Sequence, residues 1–431
     1  MVGAAPRVIL DPVHNLIPFE GDPIDTLLWK LIDTPEFQRL RRIKQLGMAD
    51  LVFPGATHTR FSHSIGVMHM ARSFLDTVER HHKRLGEKQR AIVLVAALLH
   101  DIGHGPFSHA FEAVTKQKHE HWTHKIICDP STEINGILKD SGLVIPEDVV
   151  SFFYQDSSSE NDEMPGFLTH IIASQLDADR FDYLLRDSLA MGTQYGRFDY
   201  HWLILNLRID NAHNRFYLTR KACSAVEAYL FARYHMYRQI YFHKTKRSAE
   251  IVLRLAFQRA KELIKDNERS AEDMPISIQN AFSSQSIEVK DFLTLDDSTV
   301  AEFLKWSISA EDELLKYLGN ALINRRLYKS IDVTDNESAY QVYADARDIA
   351  RGRRFGEQYS LIDDSAVDTP YKPYNPDAEH QATQIFVETP KGTIEEISKL
   401  GSPVHELTRE FRIVRYYFPQ EMKAQMNELA Q

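Results

Sequence analysis

The apolar run Ala91-Ile-Val-Leu-Val-Ala-Ala-Leu-Leu99 stops at His100-Asp101, and the chain passes directly into sequence rich in Gly and His. Gly103, Gly105 and Pro106 oppose a simple continuation of the run as helix, so this stretch gives up stability for something other than packing. Five ionisable or ligating groups, His100, Asp101, His104, His109 and Glu112, fall within it. A single His-Asp pair is expected by chance in a chain with 19 His. The surrounding sequence carries the argument: Arg60-Phe-Ser-His63 upstream, Trp122-Thr-His124 and Asp177-Ala-Asp-Arg-Phe-Asp-Tyr183 downstream. Imidazole nitrogen and carboxylate oxygen suit divalent transition ions, and ligands from the ends of separate helices can leave a position open for water or phosphate.

Helices are expected to dominate. Thr34 can cap a helix over Thr34–Ile43, with Pro35 tolerated at its first position and Phe37, Leu40 and Ile43 at spacings of three. That helix ends near Gly47. Further helices are predicted over His63–Arg80, Lys88–His100, Phe167–Arg186 and Ser224–Lys265, the last long enough to contain a bend. A short strand or hairpin is expected over Arg7–His14, ended by Pro12. Strand or short amphipathic pieces at Arg326–Ile331, Gln384–Glu388 and Phe411–Tyr417 lie among turns such as Asp368–Pro376. The fold class is therefore mainly α, a helical catalytic core over 1–265 with a smaller mixed α+β C-terminal lobe over 266–431, whose expected job is subunit contact. Residues 155–162 read as a solvated loop and 265–286 as a domain joint.

A formal net charge of -10 argues for a small anionic substrate over a polymer, since a local basic pocket is compatible with an acidic surface. Cys128 and Cys223 are too few for a disulfide framework, which fits a reducing cytoplasm. No apolar stretch approaches the roughly 20 residues that span a bilayer, and the first residues lack the apolar core of a signal peptide.

The order His63, His100-Asp101 and a distal Asp resembles the HD-domain metal-dependent phosphohydrolases. More narrowly, Gln38-Arg-Leu-Arg-Arg-Ile-Lys-Gln-Leu46, Val52-Phe-Pro-Gly-Ala-Thr-His-Thr-Arg-Phe-Ser-His63 and the run from His100 to His109 resemble the deoxynucleoside triphosphate (dNTP) triphosphohydrolase branch, which includes the sterile-alpha-motif HD-domain dNTPase. The match is dense from about Arg7 to Lys244, its HD motif region spanning about 48–190, and a free-standing HD enzyme without a module of the sterile-alpha-motif kind before Arg7 is expected. The resemblance implies metal-dependent hydrolysis of dNTPs to deoxynucleoside and inorganic triphosphate, by metal-activated water attack on the α-phosphorus. Asp177, Asp179, Asp182 and Asp187 all compete for the last ligand position on spacing alone. The family pattern selects Asp179, giving a ligand set of His63, His100, Asp101 and Asp179. Two His and two Asp accommodate Mn2+, Fe2+, Mg2+, Zn2+ or Ni2+.

In this pattern His109, polarised by Glu112 one helical turn on, protonates the leaving 5′-oxygen, while His104 and His124 lie near the α-phosphate as hydrogen-bond donors or auxiliary acids. Arg60, Arg180 and Arg233, with Tyr183, surround the triphosphate. Gln45 and Asp187 hold the 3′-hydroxyl, and Leu46 and Tyr241 crowd the 2′-carbon, so deoxy is preferred over ribo. Phe242 stands where a relative has Gln, and Tyr237 where it has His, which bears on sugar and base preference. Arg7, Asp33, Gln38 and Arg41 resemble the guanine-reading positions of an activating-nucleotide site, which implies a homo-oligomer (dimer, tetramer or hexamer), because such sites form between subunits. The residues leave two alternatives open. One is an HD phosphohydrolase on a nucleoside monophosphate, cyclic dinucleotide or nucleic-acid end. The other is a nucleotide sensor or single-stranded nucleic-acid binder.

Overall fold

The helix Glu87–Leu99 is apolar on every face from Ala91 onward, and those nine residues are all buried, as a helix without a polar stripe must be. The computed structural model describes residues 6–82, 84–154, 164–266, 272–283, 287–334, 336, 338–371, 384–400 and 403–429, and at His109 the backbone. The preceding helix, Arg60–His81, packs beside Glu87–Leu99 so that the start of one meets the end of the other. The rings of His63 and His100 consequently stand 5.3 Å apart. The helix Ala178–Ala190 packs on the other flank of Arg60–His81 and brings the Asp cluster to the same end.

The elements follow the expected order with instructive differences. Thr34 caps as predicted, accepting from the Phe37 amide at 3.3 Å, but the helix is a turn over Pro35–Gln38 that tightens into a 3-10 turn over Arg39–Arg42. The single helix expected over Phe167–Arg186 is a 3-10 turn, Gly166–Ile171, followed by a break and then Ala178–Ala190. The break has a local cause: the Asp177 carboxylate accepts from the amides of Ser174 (3.0 Å) and Arg180 (2.8 Å), starting a new helix there. The bend in Ser224–Lys265 is a π-helical turn, Tyr237–Tyr241, between helices Cys223–Met236 and Lys244–Lys265.

The N-terminal strand is half of a hairpin, Arg7–Asp11 antiparallel to Asn15–Phe19. Strands Leu207–Asp210, Arg215–Leu218, Phe386–Glu388 and Ile394–Glu396 form one sheet in that order. Phe411–Phe418 lies between Lys329–Asp332 and Ile362–Asp368, antiparallel to both. The main apolar cluster runs from Ile17 to Tyr417 and includes helices Asp297–Ser307 and Glu313–Ile323. A second cluster, drawn from Ile331 to Met426, sits under the three-stranded sheet. Residues 155–162 and most of the Asp368–Pro376 turn lie outside the described residues. Within 265–286, helix Ile276–Ser283 buries Ile278 and Phe282 in the main cluster. No helix among the described residues is long and apolar enough to cross a membrane.

Candidate metal centre

His63 sits in the first turn of its helix, His100 and Asp101 where Glu87–Leu99 ends, and Asp179 in the first turn of Ala178–Ala190. His63, His100 and Asp179 each offer a ligand atom within 4.8 Å of the others. The Nε2 of His63 is 3.0 Å from Asp179 Oδ1 and 3.8 Å from Asp101 Oδ2. The Nε2 of His100 is 3.4 Å from Asp101 Oδ1 and 3.8 Å from Asp179 Oδ1. Both Nε2 atoms are buried without a hydrogen-bond partner. On the far side of each ring, His63 Nδ1 donates to Asp182 Oδ2 (2.8 Å) and His100 Nδ1 to the Ala97 carbonyl (2.9 Å). Imidazoles anchored through Nδ1 with Nε2 turned toward carboxylates have the arrangement of metal ligands, and the donor set fits a divalent ion.

The electrostatics agree. Burial pushes against a charge on His63, yet the nearby carboxylates of Asp179 and Asp182 overcome it and raise its pKa to about 10. Burial alone would lift the Asp101 carboxyl, but His100, Arg60 and His104 hold it well below the usual range. Asp179 is likewise depressed, by His63 and His100 against burial. The cluster therefore favours a positive charge at its centre.

The four competing aspartates are distinguished by their partners. Asp177 is a helix cap that also pairs with Arg180. Asp182 accepts from His63, His14 (2.6 Å) and twice from Arg186 (2.8 Å each). Asp187 accepts from His58 Nε2 (2.7 Å) and the Tyr241 hydroxyl (2.8 Å). Asp179 Oδ1 is the oxygen that faces both unpartnered imidazole nitrogens.

Asp101, His104 and His119 form a second group with metal-ligand spacing. His104 Nε2 lies 3.2 Å from Asp101 Oδ1, and its ring stacks on that of His119 with centroids 3.8 Å apart. Burial and Arg60 drive the His104 pKa down to about 3 against Asp101, which favours its neutral, hydrogen-bond-donating form. Glu112 accepts from His119 Nδ1 at 3.0 Å. Phe107 and Ser108, the two residues before the helix His109–Thr115, hold positive φ, a strained backbone.

His124 is not brought to the centre. It is exposed, its ring 6.2 Å from that of Tyr154, and His119 takes the inner place instead. In the helix His119–Cys128, His119, Trp122 and Thr123 share one face, spaced by three and four, and Thr123 Oγ1 bonds the His100 carbonyl at 3.2 Å. His121 and His124 occupy the opposite, exposed face. The spacing relative to Trp122 was the signal that could have selected His119. The His109 side chain lies outside the described residues.

Each expected phosphate cation is engaged within the protein. Arg60 pairs with Asp101 and donates to Ser108 Oγ (2.9 Å). Arg180 pairs with Asp177 (3.2 Å) and the Ser174 carbonyl (2.8 Å). Arg233 pairs with Asp368 (3.0 Å) and the carbonyls of Thr369 and Pro370, and its guanidinium lies over the Tyr237 ring. Tyr183 and Tyr241 rings meet edge to face at 6.2 Å. Gln45 Oε1 is buried without a partner, its backbone amide donating to the carbonyl of His58, the residue that holds Asp187. Leu46 is half-buried. Of the guanine-reading set, Gln38 accepts from Arg41 Nε (2.8 Å), Asp33 is exposed at the end of helix Pro23–Ile32, and Arg7 lies over the Trp29 ring at 4.8 Å.

The model of the HD domain matches residues 60–182, which hold all four candidate ligands, and that of the HD associated region matches 198–277, which hold Arg233 and Tyr241. The uncharacterized protein YwfO of Bacillus subtilis (strain 168) is 34% identical over 417 residues, covering 96% of this chain and 93% of that one. Deoxynucleoside triphosphate triphosphohydrolase SAMHD1 of Danio rerio is 30% identical over 397 residues, 84% of this chain and 62% of the relative. A solved phosphohydrolase from Bacteroides thetaiotaomicron VPI-5482 superposes with a TM-score of 0.81 at 26% identity, covering 96% of this chain and all of that one.

Proposed function

Since this chain belongs to the HD-domain family, with dNTP triphosphohydrolases among its homologues, we propose that it hydrolyses dNTPs to deoxynucleoside and inorganic triphosphate. The observation that carries the reading is the pair of imidazoles, His63 and His100, whose buried Nε2 atoms lack hydrogen-bond partners and face Asp101 and Asp179. A divalent ion held by these four residues, Mn2+, Fe2+, Mg2+, Zn2+ or Ni2+, would polarise a phosphoryl oxygen and lower the pKa of water.

The chain's own residues do the rest. Arg60, Arg180 and Arg233 exchange their protein partners for phosphate oxygens, which offer the same charge-assisted bonds, and the Tyr183 hydroxyl donates to the same phosphates. His104 donates a neutral hydrogen bond near the α-phosphate. Glu112 backs the imidazole that protonates the leaving 5′-oxygen: His109 by its sequence position, or His119, which the carboxylate holds. Turnover of His109→Ala and His119→Ala separates the two. Asp187 and Gln45 hold the 3′-hydroxyl, and Leu46 and Tyr241 exclude a 2′-hydroxyl. In this reading residues 1–265 carry catalysis and 266–431 carry subunit contacts of a cytoplasmic homo-oligomer. Arg7, Asp33, Gln38 and Arg41 take an activating nucleotide.

The test is product analysis after incubation with Mn2+ and each of four dNTPs and four rNTPs. Deoxynucleoside and intact triphosphate from dNTPs alone, abolished in Asp101→Ala, is the expected result. No turnover of any triphosphate, with mixed nucleotides present as activators, overturns it in favour of another phosphoester.

A further inference from the structure

Behind His63, away from the other candidate ligands, lies a fully buried polar network that the proposed chemistry does not use. Asp182 has no exposed surface and receives four donors: His63 Nδ1, His14 Nε2 and two nitrogens of Arg186. A carboxylate has about four lone-pair positions, so Asp182 has none left for an ion. Arg186 is gripped from its other side by Asp11, at 2.7 and 3.2 Å. The same Asp11 carboxylate accepts from the amides of Val13 (2.8 Å) and His14 (3.0 Å), fixing the hairpin turn from which His14 projects. Gly66 lies one helical turn after His63, and a Cβ there would collide with Asp182 Oδ1 and Arg186 Nη2. Sequence so far apart converging with no room for a methyl group is a built support.

We propose that Asp182 is a positioning residue for the metal centre, and that the N-terminal hairpin, through Asp11 and His14, is part of that support. A carboxylate can only accept, so the His63 proton is placed on Nδ1 and the Nε2 lone pair is turned toward Asp179 and His100. Arg186 and His14 hold the carboxylate in the one orientation that does this. The inference rests on the reading of His63 as a ligand.

The test is Mn2+ titration by calorimetry on the full chain after chelator treatment, with 15N NMR of the histidine tautomers in the chain loaded with diamagnetic Zn2+ and the metal-free unfolding midpoint measured in parallel. Asp182→Asn is expected to weaken Mn2+ binding by about 10–100-fold and to lose the single His63 tautomer. His14→Gln is expected to move both readouts in the same direction by less, and serves if Asp182→Asn does not fold. A lowered unfolding midpoint with Mn2+ affinity and tautomer unchanged assigns the network to stability alone and overturns the proposal. A wild-type chain that binds no Mn2+ overturns the ligand reading on which it rests.

Discussion

Asp179 and Asp182 are three positions apart on one helix, and their environments divide the work between them. Asp179 faces two imidazole nitrogens that lack partners, whereas Asp182 is saturated. Asp179→Ala is therefore expected to lose Mn2+ binding and turnover together, as equilibrium dialysis and product assays would show; retained binding would remove Asp179 from the ligand set. At the sugar end, Asp187→Asn is expected to lower kcat/KM for dNTPs by about tenfold or more, mainly through KM, because the proposed bond is made in ground and transition states alike. A different residue sets part of the acid stability. Burial alone pushes the His170 pKa down to about 4, from an unfolded value near 6.5. Between those values the unfolded chain binds more protons than the folded one, so stability falls as pH drops through that window, by up to about 3 kcal/mol. His170→Phe should flatten urea-unfolding stability between pH 6.5 and 4; an unchanged slope would contradict this. The candidate ligands and Asp187 could be singled out because they stand in dense motifs. His14 and His58 were not, because their partners lie 168 and 129 positions away and only the packed helices unite them.

Among the elements, helices were expected over His63–Arg80 and Lys88–His100, the latter from the apolar run and the Gly-Pro break, and the packing of Arg60–His81 on Glu87–Leu99 delivers His63 to His100-Asp101. The break before Ala178 was hidden, since Phe167, Leu168, Ile171 and Ile172 continue an apolar pattern while a single Asp177 carboxylate restarts the helix. Helix His119–Cys128 is seated by Trp122, 2% exposed and stacked on Phe292 with centroids 3.9 Å apart. Trp122→Ala should cost about 3–5 kcal/mol of stability by urea unfolding. Because Thr123 on the same helix bonds Gly103 N (3.1 Å) and the His100 carbonyl, turnover should fall with it at temperatures where the fold persists. Full turnover in a folded Trp122→Ala would separate this helix from the centre.

At the scale of the molecule, the mainly α class and a mixed C-terminal region followed from the sequence pattern. The way the layers share a core did not. Helices Asp297–Ser307 and Glu313–Ile323 join the main apolar cluster, and Asp297 accepts from the amides of Lys44 (2.9 Å) and Phe107 (3.1 Å), tying the C-terminal part to both sides of the motif region. Such long-range capping leaves no local signature in sequence. An ion bound to the folded chain stabilises it by mass action, about 2.7 kcal/mol at a hundred times its Kd. Chelation should thus lower the thermal midpoint, and Mn2+ should restore it; a midpoint indifferent to both would argue against a tightly held ion. The most direct test of the central claim is hydrolysis of a dNTP in 18O-labelled water with Mn2+, followed by mass spectrometry of both products. Attack on the α-phosphorus predicts one 18O in inorganic triphosphate, none in the deoxynucleoside, and no product from Asp101→Ala. Label in a released phosphate or pyrophosphate, or in the deoxynucleoside hydroxyl, would contradict it.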